Sequence, residues 1–380
     1  MKSSPAALAD RADVILVGGG VMGCASALAL ADAGARVLVL ERSVPGAEAS
    51  SAAAGILGAQ TEAQSAGPFF ELACSSRARY PAWTERLRAA TGIDVGFRQC
   101  GILKVAVDDD TRGRLVHEVA WQTGAGLALA ELDAAGVAEL EPSLSGLVTF
   151  GFHFPEDGRV DPPLLLRALH IAASAAGAKF RSGTYVRAID VVDGQARGVI
   201  LEDGTRIAAG HVVLAAGSWS TLVGGVPLTS NAVRPARGQI VELETREPVL
   251  RRVVFGPACY LVPRDDGRIL VGSTLEFVGY RREVTARAVR DLLSAAIELF
   301  PALADASLGR TWSNFRPYTD TGTPFLGPTE IPGLVLATGH YRNGILLAPI
   351  TADIVCAVVQ GRPPPVDLAP FANVKGSSPA

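Results

Sequence analysis

The chain has 380 residues, 48% of them hydrophobic and 19% charged, with a formal net charge of −3. That length predicts two domains, and that composition belongs to a packed globular enzyme rather than a disordered chain. The small negative charge gives no electrostatic case for nucleic acid or an anionic membrane as partner.

The chain opens on a strand, Val14–Val17, followed at once by Gly18-x-Gly20-x-x-Gly23. An alanine- and leucine-rich helix then runs to about Ala33, and a second apolar strand, Val37 to Leu40, ends in Glu41. This is the βαβ order that grips a dinucleotide. Gly18 allows the tight turn, Gly20 lets a pyrophosphate approach the backbone, and Gly23 lets the helix pack closely. The helix N-terminus aims unpaired N–H groups and a positive dipole end at the phosphates. Glu41 suits ribose hydroxyls and repels a 2′-phosphate, which argues against NADP. By itself the unit is compatible with NAD or FAD. Val14 to Ala31 carries no charge and reaches the length of a membrane span. The polar glycine turn breaks it, no second long apolar stretch is expected, and so no membrane span is predicted. Asp10, Arg11 and Asp13 also speak against a secretory leader.

Small residues from Ala47 to Gly58 suit a backbone lying against a ligand; a flexible loop is the alternative. Helices are predicted over Pro68–Ala90, Thr111–Gly124 and Asp133–Leu140, with a strand over Gly101–Val107. Asp157-Gly158 reads as a turn. Asp161, as N-cap, and Pro162 open a helix to about Ala176. Strands are expected over Lys179–Arg181 and Tyr185–Val192, then a hairpin of Ala196–Glu202 and Thr205–Ala208 about Asp203-Gly204. His211–Ala215 is a separate buried strand. Gly238–Leu243, Cys259–Pro263, Ile269–Ser273 and Arg310–Phe315 read as an antiparallel series, with a helix over Arg282–Phe300. Leu334–Thr338 is a strand and Gly344–Gln360 a helix in which Pro349 is tolerable only in the first turn. Pro363-Pro364-Pro365 ends the fold.

The predicted fold class is α/β (α+β overall): a dinucleotide-binding, doubly wound Rossmann-like domain, which the resemblance given below makes FAD-binding, interleaved with a mixed, largely antiparallel substrate domain. Residues 1–65, 150–225 and 320–380 are assigned to the first, and 66–149 and 226–319 to the second. Five scattered cysteines without a CxxC pair point to free thiols in a reducing cytoplasm. The five histidines form no ligand-spaced cluster, so no metal is expected.

A second strong signal is the strand–turn–helix of GLVLATGHYRNGILLAP, which brings another helix N-terminus to a ligand. A reduced flavin carries negative charge near its pyrimidine edge, and such a terminus stabilises it. The blocks GGGVMG, ASSAAAGILGA, ACYLVPR with LVGSTLE, and FRPYTDTGTPFLG with GHYRNGILLAP resemble the D-amino-acid oxidase superfamily of FAD enzymes. More narrowly they resemble the glycine oxidases of thiamine biosynthesis. The resemblance spans nearly the whole chain, its last block being the most specific.

The resemblance implies noncovalent FAD held by Gly18, Gly20, Val21, Met22, Gly23, Glu41 and Arg42, with Ala49 and Ser50. It places Ala54, Gly55 and Ile56 along the flavin and Val186 at the adenine side. His340, Tyr341, Arg342, Asn343, Gly344, Ile345 and Leu346 close on the isoalloxazine ring. It makes Arg316 the partner of a substrate carboxylate, with Tyr260, Arg342 and Leu275 in the same pocket. A guanidinium grips a carboxylate bidentately as lysine cannot; a surface salt bridge is the ordinary alternative for Arg316, and a core position for Tyr260. Two departures from the family pattern, Ala258 and Leu275, leave the pocket apolar. The implied reaction is oxidation of a small amino acid or amine, glycine first, by hydride transfer to flavin with oxygen as second substrate and no general base demanded. Sarcosine- or D-amino-acid-type oxidation, a dehydrogenase feeding another acceptor, and a flavin-bearing subunit of a larger complex stand as alternatives. A cytoplasmic homo-oligomer is expected.

Overall fold

The computed structural model describes residues 12–372. The part of the leader reading that rests on Asp10 and Arg11 lies outside the described residues.

The first of two eight-stranded sheets carries the nucleotide unit. Its central strands are Leu334–Thr338, Arg206–Leu214, Ala12–Val17, Val37–Leu40 and Lys179–Arg181, all parallel in that order. Such strands are buried on both faces and so read as unbroken apolar runs. Val14, Leu16, Val37, Val39 and Val213 face a core built from the helices Val21–Asp32, Pro68–Thr91, Pro162–Ala175 and Gly344–Val359. Ile15, Val17, Leu38, Leu40, Val212 and Leu214 face a layer of β-ribbon contributed by Val186–Val192 and Gln195–Leu201.

The segments expected as two strands, 205–208 and 211–215, are one strand, Arg206–Leu214. It pairs antiparallel with Gln195–Leu201 through Arg206–Ala208 and then parallel with Ala12–Val17. Gly210 sits extended where the partner changes, so no turn is needed.

The second sheet has the order Ser307–Tyr318, Arg234–Glu244, Arg268–Gly272, Tyr260–Pro263, Val253–Phe255, Ile102–Ala106, Phe150–Phe154, Ala130–Asp133. Phe150–Phe154, which lies past residue 149, pairs with Ile102–Ala106 and so belongs to this sheet. One face packs Leu261, Ile269 and Val271 on Leu292, Ala296 and Leu299 of a covering helix. That helix is Ala286–Leu299, shorter than expected, because the Thr285 hydroxyl accepts the Ala288 N–H and caps it. The other face, with Ile240, Val262 and Leu270, packs on Ala54 and Ile56 of the first half. The small-residue stretch is therefore the seam between the sheets.

Pro349 lies in the second turn of Gly344–Val359, not the first. The carbonyl it leaves unbonded, that of Ile345, accepts the hydroxyl of fully buried Tyr80 at 2.5 Å. Ser76 Oγ donates to Leu346 O at 2.6 Å and accepts from Ile350 N at 3.4 Å, bridging the opened ladder. Tyr80→Phe is expected to orphan that carbonyl and cost about 1–3 kcal/mol of stability in a urea titration. The stretch Tyr341–Val359 is long and apolar enough to cross a membrane, contrary to the expectation that no second such stretch exists. Within the fold 67% of its most apolar part is buried, with Leu30 and Leu72 of two other helices in the same core. The triple proline does not end the fold either: Phe371, beyond it, is 2% exposed in the first core.

Candidate active site

An elongated cleft, lined from Gly18 and Glu41 at one end to Tyr260 and Arg316 at the other, runs along the seam. Its wall draws on the glycine turn, the small-residue stretch, the start of the C-terminal helix and the second sheet, as expected of a ligand site between two halves of a fold.

At one end lies the glycine turn. Gly18 has φ +108°, and a Cβ there would sit 2.5 Å from Ala215 O. A Cβ on Gly23 would sit 1.9 Å from Gly18 O, so only glycine lets the helix start against its own turn. A Cβ on Gly20 would meet only Ser50 Oγ within 4 Å, which leaves this backbone open to the cleft. The Ser50 hydroxyl accepts the Val21 N–H at 3.0 Å, and Val21 and Met22 line the cleft. Glu41 is 8% exposed and accepts Gly19 N–H at 2.7 Å and Ser43 N–H at 2.9 Å. It therefore fixes the glycine loop while still lining the cleft. Arg42 pairs with Glu48 at 2.5 Å and lies 3.7 Å over the Trp219 ring, which stacks on Tyr280. Val186, beside Thr184 and Tyr185, completes this end.

In the middle, Ala49 and Ser50 begin a short helix, and Ala54, Gly55 and Ile56 line the cleft wall. Gly55, at φ +78°, is pressed so closely on Val160 that a Cβ would lie 2.0 Å from its carbonyl oxygen. Arg264, paired with Asp161, donates to Ala54 O at 2.8 Å and holds the stretch in place. Opposite, His340, Tyr341, Arg342, Gly344 and Ile345 line the cleft at the start of the C-terminal helix. Burial pushes the His340 imidazole down to about 3, so it stays neutral, with Nε2 3.1 Å from Thr351 Oγ1. Tyr341 adopts a left-handed φ of +47°, rare outside glycine. Of the cofactor positions expected, Gly23, Asn343 and Leu346 are not in the wall. Gly23 acts through packing, Asn343 precedes the helix as its N-cap residue, and Leu346 is buried beneath.

Neither helix facing the cleft has an acidic residue in its first turn. Two such N-termini along one cleft, with an open glycine backbone at one of them, fit an extended anionic dinucleotide.

At the far end Arg316, Tyr260 and Arg342 come together. Arg316 stands opposite Ala236 on the neighbouring strand, and its guanidinium lies over Gly238. A Cβ on Gly238 would be 2.4 Å from Nη1 and 2.6 Å from Cζ. Gly272 makes the same room for Tyr260, where a Cβ would be 2.4 Å from the hydroxyl oxygen. Two glycines on adjacent strands thus form the floor beneath these two side chains. The Arg316 guanidinium donates to Ser273 Oγ at 2.5 Å and to Thr274 O at 3.2 Å, both neutral acceptors. Among the described residues it makes no ion pair, so its charge stays available to a ligand. Burial by itself lowers the Arg342 guanidinium, but Glu62 and the hydroxyls of Tyr341 and Tyr260 outweigh it and hold it firmly charged.

Leu275 does not join them: it is 43% exposed and outside the wall. Ala258 is likewise exposed and outside the wall. Neither departure therefore shapes the pocket. Residues not anticipated are Gly238, Ser273, Asn314, Trp219 and, above all, Glu62, an acid inside the substrate end. An isolated acid in the small-residue run GAQTEA is the one signal that points to it.

A dinucleotide cleft continuing into a small pocket with an unneutralised arginine defines an FAD-type oxidoreductase acting on a small carboxylate-bearing substrate. Residues 13–358 match the DAO family, described as FAD dependent oxidoreductase. The chain is 38% identical over 367 residues to a glycine oxidase of Geobacillus kaustophilus, covering 96% of this chain and 97% of that protein. It belongs to the DAO family of FAD-dependent oxidoreductases. The crystal structure of glycine oxidase from Geobacillus kaustophilus superimposes with a TM-score of 0.92, covering 97% of this chain and all of that one. A bifunctional protein ThiO/ThiG of Synechocystis is 40% identical over 354 residues, of which this chain spans about half, 51%.

Proposed function

We propose that this enzyme oxidises glycine with water and molecular oxygen to glyoxylate, ammonia and hydrogen peroxide, and that the product feeds assembly of the thiamine thiazole. The observation that carries the reading is the free guanidinium of Arg316 on its glycine floor at the end of the cleft. The similarity to glycine oxidases of Geobacillus kaustophilus and other bacteria supports the choice of substrate.

Bound FAD supplies the acceptor for a hydride from the substrate Cα and, by its reoxidation, the link to oxygen. Arg316 takes the substrate carboxylate bidentately, and Tyr260 and Arg342 fix its other side. Ile240 and the ring of Tyr341, which packs edge-on against Tyr318, keep the wall apolar beside these charges. The glycine floor shortens the reach of both Arg316 and Tyr260, which suits a substrate with little or no side chain. Residues 1–65, 150–225 and 320–380 hold the cofactor and 66–149 with 226–319 form the substrate side in this reading, with Phe150–Phe154 moved to the latter. Five free cysteines support a reducing cytoplasm. A homo-oligomer is read by sedimentation of the holoenzyme.

The test is a peroxide assay with glycine, sarcosine and D-alanine. Peroxide is expected with glycine, in step with glyoxylate. Anaerobic bleaching of the flavin by glycine with slow reoxidation in air makes the protein a dehydrogenase instead. A yellow protein that none of the three bleaches is a non-catalytic flavin subunit.

A further inference from the structure

Between the small-residue stretch and the helix Pro68–Thr91 the chain makes one tight turn, in which Glu62 N–H donates to Gly58 O at 3.1 Å. The turn is clamped from below by Asp157, which is 0% exposed and was expected only as a turn marker. Its carboxylate accepts Gln60 N–H at 3.1 Å, Thr61 N–H at 2.8 Å and Thr61 Oγ1 at 2.7 Å, and it pairs with Arg77 at 2.5 Å. Gln122 Nε2 donates to Gln60 O at 2.9 Å from another side.

The next side chain, Glu62, enters the cleft wall with Tyr260, Arg316 and Arg342. Among the described residues its carboxylate makes no hydrogen bond and no ion pair. A buried network of this kind is costly unless it is fully satisfied, and here it is spent on aiming one unbonded acid. Burial raises the Glu62 carboxyl above the usual range; Arg342, Lys104 and Arg316 pull it down and Asp157 pushes it up.

The charges at the substrate end are two guanidiniums and one carboxylate. Their sum is one positive charge, the complement of an amino acid whose carboxylate is ionised and whose amine is neutral. A free amino acid near neutral pH carries an ammonium instead. That ammonium has no lone pair to replace the electrons leaving with the Cα hydride.

We propose that Glu62 accepts the ammonium proton of the bound amino acid, a role that rests on the oxidase reading above. The N–H bond breaks and its electron pair stays on nitrogen. The proton forms an O–H bond on the Glu62 carboxylate and leaves to water after product release. Asp157 and Thr61 are positioning residues, acting only through the turn.

The experiment compares wild type with Glu62→Gln as holoenzymes, using acetate as a carboxylate probe that lacks the amine. Acetate binding is read from flavin spectral shifts and kcat/KM for glycine across pH 6 to 10. The variant is expected to keep FAD and to bind acetate at least as tightly, since one negative charge has gone. Its kcat/KM is expected to fall about 10²-fold near neutrality. It then rises about tenfold per pH unit as free amine accumulates, whereas the wild-type profile is flatter. An unaltered profile in Glu62→Gln overturns the role, and so does an equal loss of acetate and glycine, which marks a structural residue. If Glu62→Gln loses FAD, Glu62→Asp is read the same way: a lower rate with the wild-type profile and intact acetate binding is expected, and an equal loss of both ligands overturns the role. A wild-type enzyme that binds acetate yet is reduced by none of the three amines overturns the oxidase reading, and this role with it. Turnover by wild type with an unaltered variant profile overturns this role alone.

Discussion

Arg316→Ala is expected to keep its full complement of FAD and to lose its substrate. Among the described residues its guanidinium is bonded only to Ser273 and Thr274, at the far end of the cleft from the glycine loop. Truncating one partner of a desolvated charge pair costs about 2–5 kcal/mol, which is about 30- to 4,000-fold in kcat/KM. Most of that loss falls in KM, because the carboxylate is held in ground and transition states alike. Arg316→Lys is not expected to rescue it, since an ammonium cannot make the two parallel bonds or lie flat on Gly238. Gly238→Ala reaches the same end from beneath. Its methyl would occupy the space of the guanidinium, 2.4 Å from Nη1, and lift the group out of register. An unchanged KM for glycine in Arg316→Ala would remove this arginine from the site.

What the sequence made legible follows the range over which each feature is determined. The glycine turn, its helix and Glu41 are fixed within one βαβ unit, so spacing alone places them. Arg316 could be singled out only by its motif, because arginine is abundant here and a salt bridge was the ordinary expectation. Its meaning comes from Gly238, far away in the chain and adjacent in the sheet. Gly272 beneath Tyr260 is the same case. Glu62 escaped notice because its aim depends on Asp157, which lies 96 residues beyond Thr61. Leu275 differs in the opposite direction: it sits in the right motif, but that segment serves the pocket through its neighbours, Ser273 Oγ and Thr274 O, which accept from Arg316. Pro349 looked confined to a first turn because the Tyr80 hydroxyl that repairs its missing bond comes from another helix. Local patterns thus predict the elements, and long-range pairs decide which side chains do the work.

Gly23→Ala is expected to lose FAD while the chain still folds. The added methyl would lie 1.9 Å from Gly18 O, a backbone atom with no freedom to swing aside. Either the helix Val21–Asp32 withdraws or the turn opens. Withdrawal is opposed by the helices Pro162–Ala175 and Gly344–Val359, which share its close-packed core. Overpacking of this kind costs about 1–3 kcal/mol. Opening the turn moves Gly20 and the first N–H groups away from the phosphates, where their alignment is what binds. The same free energy spent against the cofactor weakens FAD about 5- to 150-fold, read as the flavin-to-protein absorbance ratio after dilution. Gly34→Ala is the control. Gly34 also has a positive φ, +86°, but nothing lies within 4 Å of its added Cβ. That substitution is expected to cost about 1 kcal/mol of stability through backbone strain alone and to leave the flavin in place. Equal FAD loss in the two variants would show that general destabilisation, and not the contact between Gly23 and the turn, governs cofactor retention.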